Sequence, residues 1–97
     1  MLVRFADKRL QRMELEAGYT AGFGAAVAKA FRRLMAYIRS AVDERAFYAM
    51  KSLHYEKLKG NRSHQRSMRL NQQYRLIVEI VQAQERTVIV VSIGDYH

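Results

Sequence analysis

The spacing of the apolar residues changes near the middle of this chain, and that change limits the folds it can adopt. Between Val27 and Val42 apolar side chains recur at steps of three or four residues, which is the spacing of one helix face. Three later segments instead alternate between apolar and polar residues or run apolar over strand lengths: residues 66–71, 74–81 and 87–93. The chain is therefore expected to form helices first and then three consecutive strands.

Shorter segments at either side of the long helix complete the expected element order. Residues 2–5 are apolar and predict a strand, and Asp7 is suited to cap a helix that runs to about residue 17. A third, short helix is expected to begin at Asp43. The predicted fold class is α+β: a small antiparallel sheet of the N-terminal strand and three C-terminal strands, with two or three helices on one face. At 97 residues the chain has room for one domain, residues 1–97.

Most apolar residues of the first hairpin carry even numbers, which restricts the strand register: Met68, Leu70, Tyr74, Leu76, Val78 and Ile80. Facing residues on paired strands point to the same side of the sheet, so these residues share the core face only if even-numbered residues lie opposite even-numbered ones. Leu70 opposite Leu76 and Met68 opposite Val78 is one such pairing. The turn between these strands is then expected to have an odd length, about three residues.

The next hairpin extends this argument to the face that points away from the core. Ile89, Val91 and Ile93 are expected to join the core, which would place Gly94 opposite Arg75. Arg69, Arg75 and Tyr96 would then converge on the outer face, where the absence of a side chain at Gly94 leaves room for a ligand.

The charge of the chain indicates an anionic partner. Seventeen Lys and Arg against nine Asp and Glu give a net charge of +8, which suits nucleic acid, an anionic membrane or an acidic protein. Residues 51–75 contain two histidines, His54 and His64, and one acidic residue, Glu56. The basic residues of this stretch are Lys51, Lys57, Lys59, Arg62, Arg66, Arg69 and Arg75. A solvated basic face is the alternative to a phosphate-binding surface.

Other features of the composition exclude several classes of protein. The chain has no Cys, so a disulfide framework and a thiolate metal site are excluded. No apolar run approaches the length of a membrane span, and the first residues lack the apolar core of a signal peptide. The expected location is therefore the cytoplasm.

The final residues, Asp95, Tyr96 and His97, carry side chains suited to metal-independent RNA cleavage. Such cleavage needs a base for the 2′-OH proton, a cation for the charge on the phosphate and an acid for the leaving oxygen. His97 can act as acid or base, Tyr96 can stack or pass a proton, and Asp95 can orient the imidazole. A set of cations, Lys59, Arg69 and Arg75, can supply the positive field. A solvated tail is the alternative.

Several short motifs, taken in order, resemble the HigB-like branch of the RelE/ParE superfamily, the toxins of bacterial type II toxin–antitoxin pairs. The matching elements are Leu58-Lys59-Gly60 with Arg62, Ser67 with Arg69-Leu70-Asn71, Tyr74-Arg75, and the closing Asp95-Tyr96-His97. The match is strong over residues 51–97 and covers the first forty-odd residues only in length and helical pattern. In well-known members a His directly precedes the Leu-Lys-Gly element, whereas here His54 lies farther upstream.

The resemblance implies a RelE-like fold and a ribosome-dependent endoribonuclease that cuts mRNA without a metal or other cofactor. The catalytic residues it implies, together with the residue reasoning above, are His97, Tyr96, Asp95, Arg75, Lys59 and His54. The expected RNA-binding residues are Arg62, Arg66, Arg69 and Lys57.

The expected partners are a HigA-like helix-turn-helix antitoxin, the ribosome and mRNA, with neither a membrane nor a small-molecule substrate. Two alternatives share the fold class. One is a ParE-like inhibitor of DNA gyrase that cuts no RNA, and the other is a ribosome- or RNA-binding module without catalytic activity.

Overall fold

The computed structural model describes residues 1–82 and 85–95, and it confirms the predicted fold class. The helices are α1 (Lys8–Leu15), α2 (Ala25–Ser40) and α3 (Arg45–Ala49). The strands are β1 (Leu2–Phe5), β2 (Glu56–Lys57), β3 (Arg66–Arg69), β4 (Tyr74–Gln82) and β5 (Arg86–Asp95). Single 3₁₀ turns at Lys51–Leu53 and Gly60–Arg62 flank β2. The strands form one sheet in the order β1-β5-β4-β3-β2.

One strand pairing differs from the all-antiparallel sheet expected from the sequence. β1 runs parallel to β5, with Val3 beside Val88 and Phe5 beside Val90, while the other three pairings are antiparallel. Parallel neighbours need a long crossover connection, and everything between β1 and β5 in the chain supplies it. A short β2 adds a fifth strand that the sequence pattern did not indicate.

Helix α1 begins after Asp7, as the sequence indicates, but ends at Leu15 rather than near residue 17, and α3 begins two residues after Asp43. The Asp7 carboxylate accepts a hydrogen bond from the Arg9 N–H at 2.8 Å and caps α1. The Arg32 guanidinium of α2 donates to the carbonyls of Met13, Glu16 and Tyr19 at 2.9–3.0 Å. Arg32 therefore binds carbonyls in the last turn of α1 and in the segment that follows it.

The apolar stripe of α2 forms the centre of the core, where Phe31 and Ile38 are completely buried. The stripe was expected to extend to Val42, but α2 ends at Ser40 and Val42 is 79% exposed. Ala41 has an extended backbone, which turns the following residues off the helix axis.

The β3–β4 hairpin keeps the predicted core face but pairs two residues away from the predicted register. Met68 lies opposite Leu76 and Arg69 opposite Arg75, so the even-numbered residues do share one face. The Asn71 side chain accepts hydrogen bonds from the N–H groups of Gln73 and Tyr74, at 2.9 and 2.7 Å. These bonds stabilise a tight three-residue turn over residues 71–73, which sets the register.

A β-bulge in β5 overturns the prediction that Ile89 and Val91 face the core. Ile77 pairs with Ser92, but the next residue, Val78, pairs with Val90, so Val91 is an extra residue in β5. One extra residue in a strand moves every side chain beyond it to the opposite face of the sheet. Val88 and Val90 are consequently the completely buried residues of this strand. On the other side of the bulge Ile93 packs against the core, as expected.

Candidate functional site

Four residues from neighbouring segments form a transverse row on the sheet face opposite the helices. Arg69 pairs with Arg75, and Arg75 pairs with Gly94, as the sequence predicted for the latter pair. The β2–β3 register, continued by two residues, sets His54 beside Arg69. The side chains confirm this placement, because His54 Nε2 lies 3.5 Å from Arg69 Nη1. We call these residues, His54, Arg69, Arg75 and Gly94, the cationic row.

His54 reaches the row through an unusual backbone conformation. It follows the 3₁₀ turn Lys51–Leu53 and lies in the left-handed region, with φ 47° and ψ 50°. Its N–H donates to the Lys51 carbonyl at 3.1 Å, which closes the turn. This geometry places a histidine that lies several residues upstream of the Leu-Lys-Gly element beside Arg69.

Ser67 supports Arg75 from the next row of the same face. The Ser67 side chain is 1% exposed, and its Oγ accepts a hydrogen bond from Arg75 Nη1 at 3.4 Å. Ile77, which faces Ser67 across the two strands, is also buried. The alternation of the strand places Ser67 on this face, but nothing in the sequence pattern shows that its hydroxyl contacts Arg75.

The backbone at Gly94 leaves open space next to Arg75. A Cβ built on Gly94 would meet no atom within 4 Å. Packing of the protein therefore does not require a glycine here, which agrees with the prediction that this position leaves room for a ligand.

The loop that joins β2 to β3 carries Lys59 and Arg62, and Arg62 is connected to the other end of the same face. The Arg62 side chain donates to Gln65 Oε1, and Gln65 donates in turn to Glu79 Oε2, both at 3.1 Å. His64 Nε2 lies 3.8 Å from the same Glu79 oxygen. Glu79 is four residues from Arg75 along β4, roughly 13 Å at the rise of a strand. Arg62 is therefore separate from the cationic row.

Lys57 and Arg66 do not join the row. They face each other across β2 and β3, and Arg66 lies opposite Val78, on the helix side of the sheet. Arg66 Nε is 3.7 Å from the Glu44 carboxylate, which also accepts a hydrogen bond from the Tyr55 hydroxyl at 2.6 Å. Burial, followed by the bond to Glu44, raises the pKa of Tyr55. Arg66 thus joins β3 to the start of α3.

The three closing residues lie partly outside the described residues. Asp95 pairs with Tyr74, whose ring packs edge-on against Phe23, so the register sets Asp95 on the helix side. Tyr96 and His97, and with them the predicted convergence of Tyr96 with the arginines, fall outside the residues that the structure describes.

The cationic row has the chemistry of a phosphate site. A guanidinium binds a phosphate through two parallel hydrogen bonds, and a neighbouring imidazole can exchange a proton near neutral pH.

Within residues 1–82 and 85–95 no three His, Asp or Glu side chains are grouped to hold a metal ion. No helix in this part of the chain is both long and apolar enough to cross a bilayer.

Comparisons with known proteins agree with this architecture. The sequence matches, over residues 3–97, the family model of the RelE-like toxin of type II toxin–antitoxin system HigB. The fold is similar to that of a YoeB/ParE toxin from Agrobacterium tumefaciens, with a TM-score of 0.62, 13% identity and 100% of both chains covered. It is also similar to a YoeB–YefM complex from Staphylococcus aureus, with a TM-score of 0.60 and 20% identity over 100% of this chain and 98% of the other. Among curated protein sequences none matches this chain.

Proposed function

Because this chain belongs to the HigB-like family of RelE-like toxins from type II toxin–antitoxin systems, we propose that it is an endoribonuclease that cleaves mRNA on translating ribosomes. The observation that carries the proposal is the cationic row, in which two arginines and a histidine meet on an open sheet face. A surface built only to attract a polyanion needs no imidazole in contact with a guanidinium.

The proposed reaction is attack of a ribose 2′-oxygen on the adjacent phosphorus. The new P–O bond closes a 2′,3′-cyclic phosphate, and the bond to the 5′-oxygen of the next nucleotide breaks. One group takes the 2′-OH proton and another gives a proton to the leaving oxygen, so no metal or other cofactor takes part. The proposal assigns these transfers to His54 and His97, with Tyr96 and Asp95 beside the latter.

Arg69 and Arg75 would bind the non-bridging oxygens of the scissile phosphate. The charge on these oxygens grows in the transition state, where a positioned guanidinium stabilises it more strongly than in the ground state. The buried Ser67 hydroxyl would hold Arg75 in this orientation. Lys59 would add positive charge at the same phosphate, and Arg62, farther along the face, would bind the RNA backbone beyond the cleavage site.

The proposed partners are the ribosome, mRNA and a HigA-like helix-turn-helix antitoxin, in the cytoplasm. Support for an antitoxin comes from family membership and from the structural neighbour that is a YoeB–YefM complex. A net charge of +8 also favours acidic partners.

Expression of the chain without an antitoxin tests the proposal. We expect growth arrest with new mRNA 5′ ends inside coding regions, mapped by primer extension. A variant that lacks Tyr96 and His97 should remain folded and still bind the antitoxin, but should no longer cleave. Arrest with intact mRNA and broken DNA would indicate a ParE-like gyrase inhibitor instead, and full toxicity of the shortened chain would remove Tyr96 and His97 from the site.

A further inference from the structure

An apolar groove of about 360 Å³ opens between α2 and the end of β3. We call it the α2 groove, and its apolar lining includes Tyr37, Met50, Leu53 and Leu70. Leu53 is buried, so the groove is backed by the core, while Met50 is 38% exposed. Methionine adapts its shape readily to a bound apolar surface.

Two arginines, Arg33 from α2 and Arg69 from β3, are also among the residues that line this groove. Arg69 is also a member of the cationic row, where its Nη1 lies 3.5 Å from His54 Nε2. Arg69 is therefore common to the α2 groove and the cationic row.

The contacts of Tyr37 leave its ring, rather than its hydroxyl group, to line the groove. Its hydroxyl donates to the Ala46 carbonyl at 2.8 Å, so its donor is already satisfied within the protein. Its ring packs at a tilt of 54° against Phe47, with the ring centroids 6.2 Å apart. The groove thus presents apolar surface with cations beside it, which is the combination that single-stranded nucleic acids bind through their bases and phosphates.

We propose that the α2 groove binds one unstacked base of the substrate RNA, whose adjoining phosphate is held by Arg69. This inference rests on the proposed ribonuclease function and adds a second subsite to it. In a nucleotide the base is separated from the phosphate by a single ribose. A base in the α2 groove would therefore leave its phosphate close to Arg69, which belongs to both the groove and the cationic row. Apolar contacts with a base are largely independent of sequence, so the groove would orient the strand more than select a codon.

The test uses mRNAs bound to purified ribosomes, with an abasic nucleotide at one position at a time around the cleavage site. At one position the abasic nucleotide should slow cleavage by the wild-type chain by about 5- to 150-fold, the range typical of one stacked base. Ala30 is half-buried and lines the groove, so Ala30→Phe should fill it. That variant should cleave intact mRNA more slowly by a similar factor and should be insensitive to the abasic position.

A matched substitution on the same helix serves as the control. Ala36 is exposed and does not line the groove, so Ala36→Phe should behave as the wild type. If Ala30→Phe lowers the melting temperature, Met50→Asp replaces it, because a carboxylate in the groove should repel the nucleotide without adding bulk.

Each other outcome overturns the inference. Equal cleavage at every abasic position, or a groove variant that keeps the wild-type rate and sensitivity, would show that no base binds there. A groove variant that cleaves normally but loses antitoxin binding would assign the groove to a protein side chain. If the wild-type chain cleaves none of the intact mRNAs, the proposed function itself fails, and the subsite fails with it.

Discussion

His54 has a left-handed backbone that residues other than glycine rarely adopt, with φ 47° and ψ 50°. For an L residue this conformation costs roughly 1–2 kcal/mol. The conformation places the imidazole beside Arg69. Strain of this kind persists where the surrounding structure fixes a side chain, and it clusters at functional sites.

Replacing His54 separates backbone strain from chemistry. His54→Gly should be at least as stable as His54→Ala, because glycine adopts the left-handed region without the Cβ penalty. Both variants should lose about 100- to 10,000-fold in cleavage rate, the usual effect of removing a general acid or base. Thermal melting and cleavage of ribosome-bound mRNA are the measurements. An alanine variant clearly more stable than the glycine variant would show that this strain is absent in solution.

At the scale of elements, the turn and the bulge show how far alternation predicts a sheet. The alternation of apolar and polar residues along β3 and β4 correctly predicted that Met68, Leu76 and Val78 face the core. It also predicted a turn of about three residues, but it could not show that the Asn71 side chain closes that turn and sets the exact register, because this depends on hydrogen bonds rather than on periodicity. Nor could it predict the bulge at Val91, since Ile89 and Val91 are as apolar as the residues that are buried.

The start of α3 depends on one carboxylate, Asp43. Asp43 Oδ1 accepts the Arg45 N–H at 2.9 Å, and its carboxylate pairs with the Arg45 side chain at 2.7 Å. Arg86 of β5 lies 3.6 Å away, so the same carboxylate connects the helix to the sheet. The hydrogen bonds from Arg45 lower the pKa of Asp43 to about 2.

The lowered pKa of Asp43 predicts how its contribution to stability varies with pH. The folded state binds this proton less tightly than the unfolded state, where the pKa is about 3.9. The contribution is therefore complete above about pH 4 and is lost as the pH falls toward 2. Asp43→Asn keeps the acceptor for the Arg45 N–H but removes the charge, so it should melt below the wild type at pH 7.

The difference between the two melting temperatures should shrink between pH 4 and pH 2. Because Arg45 is 89% exposed, solvent screens the pair and the difference should be small at any pH. A difference that stays constant over this range would mean that the charge of Asp43 does not contribute.

At the scale of the whole molecule, the net charge of +8 attracts any polyanion, but only some of the cations are available to one. Arg32 binds backbone carbonyls, Arg39 pairs with Glu14 and Arg66 with Glu44. Their positions in the sequence do not show this, because each partner comes from a distant part of the chain. The sequence did predict that Arg75 lies beside Gly94 on an open face, since that follows from strand pairing alone.

The salt dependence of RNA binding measures which cations contact phosphate. Each contact with a single strand contributes about 0.7 to the slope of log K against log salt concentration. Arg75→Ala should therefore lower the slope for a single-stranded RNA by about 0.7. Lys8→Ala is the matched control, because Lys8 begins α1 on the other side of the sheet and is exposed, and it should leave the slope unchanged. Equal slopes for both variants would place Arg75 outside the phosphate contacts.

The parallel pairing of β1 with β5 also has a consequence for the order of events during synthesis. β1 is the first strand to be made and β5 is the last, and β5 lies between β1 and β4 in the sheet. The N-terminal strand therefore has no partner until almost all of the fold has left the ribosome, and contacts between such distant segments form slowly. The proposed ribonuclease would therefore become active only after the ribosome has translated β5.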